Sequence, residues 1–498
     1  MKRTSFFSDK RGVIAVAFGL MFPVLIAAMG VGYDLGQAYM ARSRLTQALD
    51  AAGLASAGTT GTTSAMETRF NAYIKANYPD MELGTLKGVT FTQSGNDVTV
   101  TGTVSVDTSF MKWFGRDTLD VTAEATVHRE LQGVEVAMVL DNTGSMSGSK
   151  ITNLKKAAVK LVDVMAAASL RSTMPDSVKL SLVPYSMTVN VGSTYSTAAW
   201  LDKNGQSPVN NEIFTTTGVK RLNLFTAMST TWGGCVESRA SPYDVTEAPP
   251  TSSTPATLYV PYFAPDEPDT TNAGYINNYL ADVTNSSDWK TRQGYAAKYN
   301  KKPKTGTNGI GYQFGPNAGC ELKPIVRLTN NFTALKTAIN AMTTVGDTNI
   351  PFGLMWGWHS ISPNAPFSDG VPYGTERYKK IIILMTDGDN TDAVVNNNNQ
   401  SSYAGIGYIW QNRLGITSGT ASQRSAKLDS KMTALCTNAK AAGITIYTIR
   451  LENASANPTV IKGCATSPDY FYDVTDSNQL TSVFEAIANS IQNLRLTK

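Results

Sequence analysis

Residues 12–33 form an uninterrupted run of 22 residues without a charged side chain, VIAVAFGLMFPVLIAAMGVGY after the first glycine. A helix rises 1.5 Å per residue, so this run covers about 33 Å, and the apolar core of a bilayer is about 30 Å thick. The sequence therefore predicts a transmembrane helix over residues 12–33. A cleaved secretory signal is the alternative, but its apolar part usually spans ~7–15 residues and ends at a small-residue cleavage site, and no such site clearly ends this run.

The charges that flank the run predict its orientation. The run is preceded by one acidic residue and by four basic residues, which are Lys2, Arg3, Lys10 and Arg11. It is followed by the acidic residue Asp34. Basic flanks stay on the cytoplasmic side of a membrane. We therefore expect residues 1–11 to be cytoplasmic and the chain beyond the span to lie outside the cytoplasm, anchored by one pass through the membrane.

The composition limits the classes of function that the rest of the chain can serve. With 42% hydrophobic and 16% charged residues, the chain is typical of globular rather than disordered proteins. A net charge of +4 without a long basic run argues against a nucleic-acid surface. The two histidines, His128 and His359, offer little material for a zinc site or a Ser-His-Asp triad.

Local patterns predict three further regions beyond the span. We expect a helical stalk over residues 34–57 and a small α+β module over residues 58–130, with a helix from residue 66 and strands over 89–106 and 119–127. Residues 131–498 alternate apolar strands with amphipathic helices, which predicts an α/β fold with a doubly wound, mostly parallel sheet.

The α/β region is interrupted by a stretch that does not follow this alternation. Residues 190–330 are rich in Pro, Asn, Thr and Tyr and carry scattered tryptophans, so we expect an ordered insertion of irregular structure. A second loop, residues 394–422, is also expected outside the sheet. The predicted strands of the sheet are residues 134–140, 178–183, 381–385, 444–449 and 470–474.

The cysteines all lie beyond the predicted span, in a compartment that is oxidising if the orientation is right. There are four of them, Cys235, Cys320, Cys436 and Cys464, and no C-x-x-C motif occurs. An even number suits two disulfides, and order along the chain suggests 235 with 320 and 436 with 464. Sequence alone allows three ways of pairing them.

Polar residues with oxygen ligands follow two of the predicted strands. Asp141, Thr143 and Ser145 follow the first, Asp387 follows residues 381–385, and Thr348 precedes a predicted helix. Open α/β sheets bind ligands at the carboxyl ends of their strands. Carboxylate and hydroxyl oxygens suit a hard cation such as Mg²⁺, while a purely structural role as helix caps or turns is the alternative.

This D-x-T-x-S motif, with a later loop threonine and a later aspartate, resembles the metal-ion-dependent adhesion site of von Willebrand factor A (vWA) domains. The resemblance implies that Thr143, Ser145 and Thr348 bind the metal directly and that Asp141 and Asp387 act largely through bound water. Thr143 stands where serine is commoner. A partner's carboxylate would complete the coordination.

The N-terminal segment RGVIAVAFGLMFPVLIAAMGVGYDLGQAYMARSRLTQALDAAGLASA is similar to that of TadG-like and TadE-like proteins of Tad (Flp) pilus assembly, and LYVPYFAPDEP and ILMTDGDN are similar to the TadG-like vWA region. This resemblance implies a non-enzymatic scaffold or adhesion component that binds a pilus or envelope protein. Relatives that are cut after a glycine carry a glutamate five residues later. Ala17 occupies that position after Gly12, so we expect the anchor to be retained.

Two other functions are compatible with the same residues. A surface adhesin would use the site to bind extracellular ligands, and a metal-dependent hydrolase would use Asp141 or Asp387 with metal-bound water. The hydrolase lacks an evident second base or nucleophile, and no signal for export past an outer layer supports the adhesin.

Overall fold

The computed structural model describes residues 11–59, 63–78, 84–94, 97–128, 130–131, 133–170, 172, 174–269, 274–307, 312–452, 458–494 and 496–497. These residues belong to two compact units, one formed by residues 1–131 with 492–498 and the other by residues 132–491. The predicted cytoplasmic residues 1–10, residues 95–96 of a predicted turn and the side chain of His128 lie outside the described part.

The first unit begins with one continuous helix, α1 (Arg11–Ala57), that contains both the predicted span and the predicted stalk. Its segment from Ile14 is long and apolar enough to cross a membrane. Large apolar side chains between Ile14 and Ile26 are exposed. In water such a surface would be unfavourable, and a bilayer would cover it.

A small antiparallel sheet packs against the second half of α1. The elements of this module are α2 (Thr63–Asn77), β1 (Thr85–Ser94), β2 (Asp97–Asp107), β3 (Thr118–His128) and the short β4 (Glu130–Leu131). The three long strands pair in the order β1-β2-β3. Alternate side chains of β2, such as Val98 and Val100, are buried with Ala41, Leu45 and Leu49 of α1.

Residues 34–57, predicted as a helical stalk, also form part of the core of this module. Gly102 of β2 lies directly under Leu45 and Leu49, where a side chain would meet Leu45 at 3.2 Å. A three-stranded sheet of this size cannot bury enough apolar surface by itself. The second half of α1 supplies the missing layer of the core of this sheet.

The second unit is built on one large sheet. Its strands are β5 (Gly133–Asp141), β6 (Val178–Tyr185), β7 (Val189–Asn190), β8 (Cys235–Glu237), β9 (Val260–Pro261), β10 (Val326–Thr329), β11 (Tyr378–Thr386), β12 (Thr445–Leu451) and β13 (Phe471–Val474). The order is β13-β12-β11-β5-β6-β7-β8-β9, with β10 antiparallel to β6. The five strands from β13 to β6 are parallel, which confirms the predicted fold class.

Helices cover both faces of this sheet. The helices that follow β5 along the chain are α3 (Ser149–Leu170), α4 (Pro208–Asn211), α5 (Arg221–Ala227), α6 (Trp289–Gly294), α7 (Phe332–Ala341), α8 (Ile350–Ile361), α9 (Ala421–Ala441), α10 (Thr459–Cys464) and α11 (Leu480–Leu494), and β14 (Leu496–Thr497) comes after them. Helices α3, α7 and α11 share one apolar core, and α8 and α9 share the other. Along β5, Val139 points into one core and Met138 into the other.

Helix α8 is buried along its whole length between the sheet and the 190–330 insertion. Two glycines allow this close approach, because a Cβ on Gly353 would lie 2.4 Å from the Tyr185 ring and one on Gly357 would lie 2.3 Å from Val139. His359 is a core residue on this helix, 2.8 Å from the Tyr259 hydroxyl, and burial lowers its pKa well below the usual value.

The insertion contributes to the core instead of standing apart from it. Its aromatic residues Trp200, Tyr259 and Phe263 belong to the same apolar cluster as α8. Short antiparallel strands β7, β8 and β9 extend the sheet, and a buried ion pair joins Arg221 to Glu237. Both disulfides suggested by the order of the cysteines are present. Cys464 is the last residue of the short helix α10.

Candidate metal centre

The site lies where β5 and β11 end side by side. The strands are parallel, with Leu140 opposite Met385. Each strand therefore delivers its next residues to the same edge of the sheet: Asp141 from β5, and Thr386 and Asp387 from β11. The chain passes from β5 to β6 on one side and from β11 to β12 on the other, and open α/β sheets bind their ligands at such a switch point.

The buried Asp141 carboxylate organises the first loop. One of its oxygens accepts hydrogen bonds from the Thr143 main-chain N–H at 2.8 Å and from the Thr143 hydroxyl at 2.6 Å. The other accepts from the Thr386 hydroxyl at 2.8 Å. Burial and the nearby negative charge of Asp387 raise the pKa of Asp141 to about 6. Two carboxylates this close favour a cation between or beside them.

Hydroxyl groups connect the two carboxylates. The Thr143 and Ser145 hydroxyl oxygens are 3.0 Å apart, and the Ser145 hydroxyl donates to Asp387 Oδ1 at 2.7 Å. Asp141, Thr143 and Asp387 are buried, whereas Ser145 is exposed to solvent. Four of the five residues predicted to form the site therefore belong to one continuous cluster with an open side.

The fifth predicted residue, Thr348, lies on a loop that is bonded to this cluster through the main chain. Gly144 N–H donates to Gly346 O at 2.9 Å, and Val345 N–H donates to Asn142 O at 2.8 Å. The Thr348 N–H donates to the Thr391 hydroxyl at 2.9 Å. The bonds that the structure records for Thr348 are thus main-chain bonds, which place its loop but not its hydroxyl at the cluster.

Lys150 is a member of the site that sequence reasoning missed. Its Nζ donates to Asp387 Oδ2 at 2.8 Å and lies 3.9 Å from Glu452. It belongs to the first turn of α3, where a cation faces the positive end of the helix dipole. Lys150 is nine residues after Asp141 in the sequence, but its partner Asp387 is 237 residues away, so no local pattern indicated the pair.

Two neighbouring carboxylates remain outside the cluster. Burial raises the pKa of Asp347, whose side chain faces the Ala393 main chain, and burial with the charge of Asp429 raises the pKa of Asp389. Within the described residues, no group of three or more His, Cys, Asp or Glu side chains converges. A cation at this edge would therefore depend on hydroxyl and water oxygens.

The donor set fits a hard divalent cation. Carboxylate and hydroxyl oxygens of Asp141, Thr143, Ser145 and Asp387 lie within one hydrogen-bonded chain, and Mg²⁺ prefers such oxygens together with several waters. These residues would hold the ion, and its positive charge would offset the repulsion between the carboxylates. The exposed side at Ser145 leaves room for a further ligand from outside.

Comparison with known proteins identifies the N-terminal segment. A sequence profile described as Flp pilus-assembly TadE/G-like matches residues 12–59. No curated protein sequence matches the chain.

Several solved structures are similar to the chain at low identity. The von Willebrand factor domain of the type V pili tip protein Mfa5 from Porphyromonas gingivalis is 13% identical over 74% of this chain and 97% of that chain, with a TM-score of 0.34. The adhesive tip pilin GBS104 from Group B Streptococcus agalactiae is 14% identical over 72% of this chain and 100% of that chain, also at 0.34. The pilus adhesin SpaC from Lactobacillus rhamnosus GG is 11% identical at 0.34, and the match covers 84% of this chain but only 36% of SpaC.

The fold assignment rests on the strand order of the chain itself, since TM-scores this low do not establish a fold. The parallel order β12-β11-β5-β6, with helices on both faces, gives the α/β architecture directly. Together, the profile match and this architecture show that residues 12–59 are similar to the N-terminal segment of TadE/G-like Flp pilus-assembly proteins and that an α/β domain with a mostly parallel sheet follows them.

Proposed function

We propose that this protein is a membrane-anchored, non-enzymatic component of Flp pilus assembly that binds a protein partner through a divalent cation at the Asp141 cluster. The apolar half of α1 crosses the inner membrane once with residues 1–11 in the cytoplasm. The α/β domain is then periplasmic and presents the cluster to a pilus or envelope protein.

One observation carries the docking proposal: the chain of oxygen atoms from Asp141 through Thr143 and Ser145 to Asp387 at the open edge of the sheet. Buried carboxylates need a positive partner, and a site with few negative charges leaves a bound cation partly uncompensated. An acidic side chain of another protein would neutralise the remaining positive charge of the cation.

The proposal assigns no catalytic role to the cluster. Asp387 accepts hydrogen bonds from Lys150 and Ser145, and Asp141 accepts them from Thr143 and Thr386, so these contacts hold both carboxylates in place. Hydrolysis would also need a second group, a base or a nucleophile, within hydrogen-bonding reach of the attacking water.

Substitution of Asp141 tests the proposal. Asp141→Ala is expected to abolish binding of Mn²⁺ and Mg²⁺ by the purified full chain in detergent and to abolish pilus formation in cells. Ser145→Ala and Thr348→Ala should give weaker forms of the same defect, because the first removes a hydroxyl of the cluster and the second removes a hydroxyl from the loop that the main chain holds beside it. Asp389→Ala is the matched control, because Asp389 lies on the same loop as Asp387 but outside the cluster, and it should behave as the wild type.

Circular dichroism and thermal unfolding show whether each variant is folded. Unchanged metal affinity in Asp141→Ala would contradict the site assignment. Loss of metal binding with normal pili would leave the site intact as a metal site but contradict its role in pilus assembly, and adhesion to external surfaces would then be the function to measure.

A further inference from the structure

The loop between β2 and β3, residues 108–117, is fastened to α1 at the outer end of its apolar segment. The Asp34 carboxylate accepts hydrogen bonds from three consecutive main-chain N–H groups, those of Ser109, Phe110 and Met111, at 2.8, 2.9 and 2.6 Å. Asp34 is only 2% exposed. A carboxylate with three N–H donors is strongly held, so the loop has one position relative to the helix.

Side-chain packing extends this attachment one turn toward the membrane. The Phe110 ring covers Gly30, where a Cβ would lie 2.4 Å from the ring, and it meets the Tyr33 ring edge-on at 6.2 Å between centroids. Gly30 is the first buried residue of α1, and the described side chains before it are largely exposed. Protein therefore begins to cover the helix where the apolar run is about to end.

The loop presents its largest apolar side chains away from the protein. Trp113 and Phe114, in the 3₁₀ turn Met111–Phe114, are 82% and 66% exposed. Lys112 and Arg116, on either side of them in sequence, are exposed as well. Exposed aromatic residues with basic neighbours suit the headgroup layer of a bilayer, where tryptophan is enriched and lysine and arginine meet anionic lipid.

The length of α1 places this turn at the right depth. Gly30 is 16 residues beyond Ile14, or about 24 Å along the helix, and the apolar core of a bilayer is about 30 Å thick. The loop contacts Gly30, Tyr33 and Asp34, and thus lies within the last turn of the span and the first turn beyond it. A helix that crosses the bilayer over this segment therefore places the turn near the lipid surface.

We propose that residues 110–116 form a second membrane contact, in which Trp113 and Phe114 insert into the outer headgroup layer of the bilayer that α1 crosses. This inference rests on the proposed anchoring by α1 and extends it. Two contacts, one spanning and one interfacial, fix both the depth and the tilt of the module, whereas a lone helix leaves tilt and rotation free.

Quenching of tryptophan fluorescence by brominated lipid tests the contact. The full chain is reconstituted in phosphatidylcholine and phosphatidylglycerol vesicles, with or without lipids brominated near the headgroup end of the acyl chains. Trp113 is one of seven tryptophans. The fraction of emission lost to quenching is therefore expected to be larger in the wild type than in Trp113→Phe, by about one seventh of the total emission. A matched control moves the tryptophan to the far end of β3. This double variant combines Trp113→Phe with Thr126→Trp.

Thr126 is a suitable control because its end of the sheet packs near the C-terminal end of α1, far from the apolar segment. Its neighbour Val127 packs at Gly53, 19 residues beyond Asp34, or about 28 Å along the helix, so a tryptophan there should escape quenching. Flotation with the vesicles reports insertion of α1 separately. If the chain floats and the wild type and Trp113→Phe are quenched equally, the interfacial contact is wrong while the anchor stands. If the chain does not float, the anchor fails, and the interfacial contact with it.

Discussion

At the scale of single residues, the Lys150–Asp387 pair is the least expected feature of the site. A lysine in the first turn of a helix opposes the helix dipole, so something else must stabilise it there. Asp387 and Glu452 supply that stabilisation, and the Asp387 side chain is fully buried. In the proposed metal site, Lys150 is therefore a positive charge that already satisfies one of the two carboxylates and repels an incoming cation.

Lys150→Met should have two opposite effects. The affinity for Mn²⁺ is expected to rise about tenfold, or ~1.4 kcal/mol, because a competing charge is removed. Without metal, the free energy of unfolding is expected to fall by about 2 kcal/mol, since the buried Asp387 loses its partner. Calorimetry with Mn²⁺ and urea unfolding of the full chain in detergent measure both effects.

Lys156→Met is the matched control, because Lys156 lies on the same helix with its side chain in solvent, and neither quantity should change. A fall in Mn²⁺ affinity in Lys150→Met would show that the lysine supports the metal site and does not compete with it.

The same pair shows the limit of sequence reasoning about the site. Asp141, Thr143 and Ser145 could be predicted because they follow one apolar strand within five residues, and the apolar run of β11 placed Asp387 at the matching strand end. The partners Lys150 and Asp387 are 237 residues apart in sequence, and no local pattern joins them. Thr348 is the opposite case. The sequence placed its hydroxyl in the site, but the contacts that the structure records for Thr348 are made by its main chain.

At the scale of elements, helix α8 depends on two glycines. A helix buried on all sides can approach a sheet closely only where it lacks side chains, and Gly353 and Gly357 form that strip against Tyr185 and Val139. A strip of glycine lowers helix propensity by about 1 kcal/mol per residue. Close packing against the sheet compensates for this cost, so the glycines are required by the fold and not by the helix itself.

Gly357→Ala is expected to destabilise the α/β domain by about 1–3 kcal/mol, because the new methyl group would lie 2.3 Å from Val139 Cγ2. Thermal unfolding of the full chain in detergent measures the loss. Gly463→Ala is the control, since Gly463 is also helical and a Cβ there meets nothing within 4 Å. That variant should be neutral or slightly stabilised. Equal stability of the two variants would show that α8 can move away from the sheet at little cost.

Elements with a long, regular pattern could be predicted, and short ones could not. The buried runs of β5, β6, β11 and β12 were visible as unbroken apolar segments, and α3 and α11 as amphipathic stripes. Strands β7, β8 and β9 contain only two or three residues each, so they have no periodicity of their own. They form because the insertion folds back over α8, which is a consequence of tertiary packing. For the same reason the sequence did not show that α1 completes the core of the small module.

At the scale of the whole molecule, one segment determines where the rest of the chain lies. Within the described residues, α1 supplies the one helix that is long and apolar enough to span a membrane. In the proposed anchoring by α1, the described residues after the span lie on one side of the membrane. The cysteines agree with an exported side, because all four are in disulfides, Cys235 with Cys320 and Cys436 with Cys464, and such bonds persist in oxidising compartments.

A reporter fusion tests this topology. Alkaline phosphatase fused after Lys498 is expected to be active, because the enzyme folds only outside the cytoplasm and the basic residues before the span keep the N-terminus inside. The same phosphatase fused after Arg11, before the span, should be inactive and serves as the control. Non-reducing peptide mapping of the first fusion should recover both disulfides intact. An inactive fusion after Lys498 together with free thiols at Cys436 and Cys464 would place the α/β domain in the cytoplasm. That result would exclude contact with an assembled pilus, because the proposed metal site would then face the wrong side of the membrane.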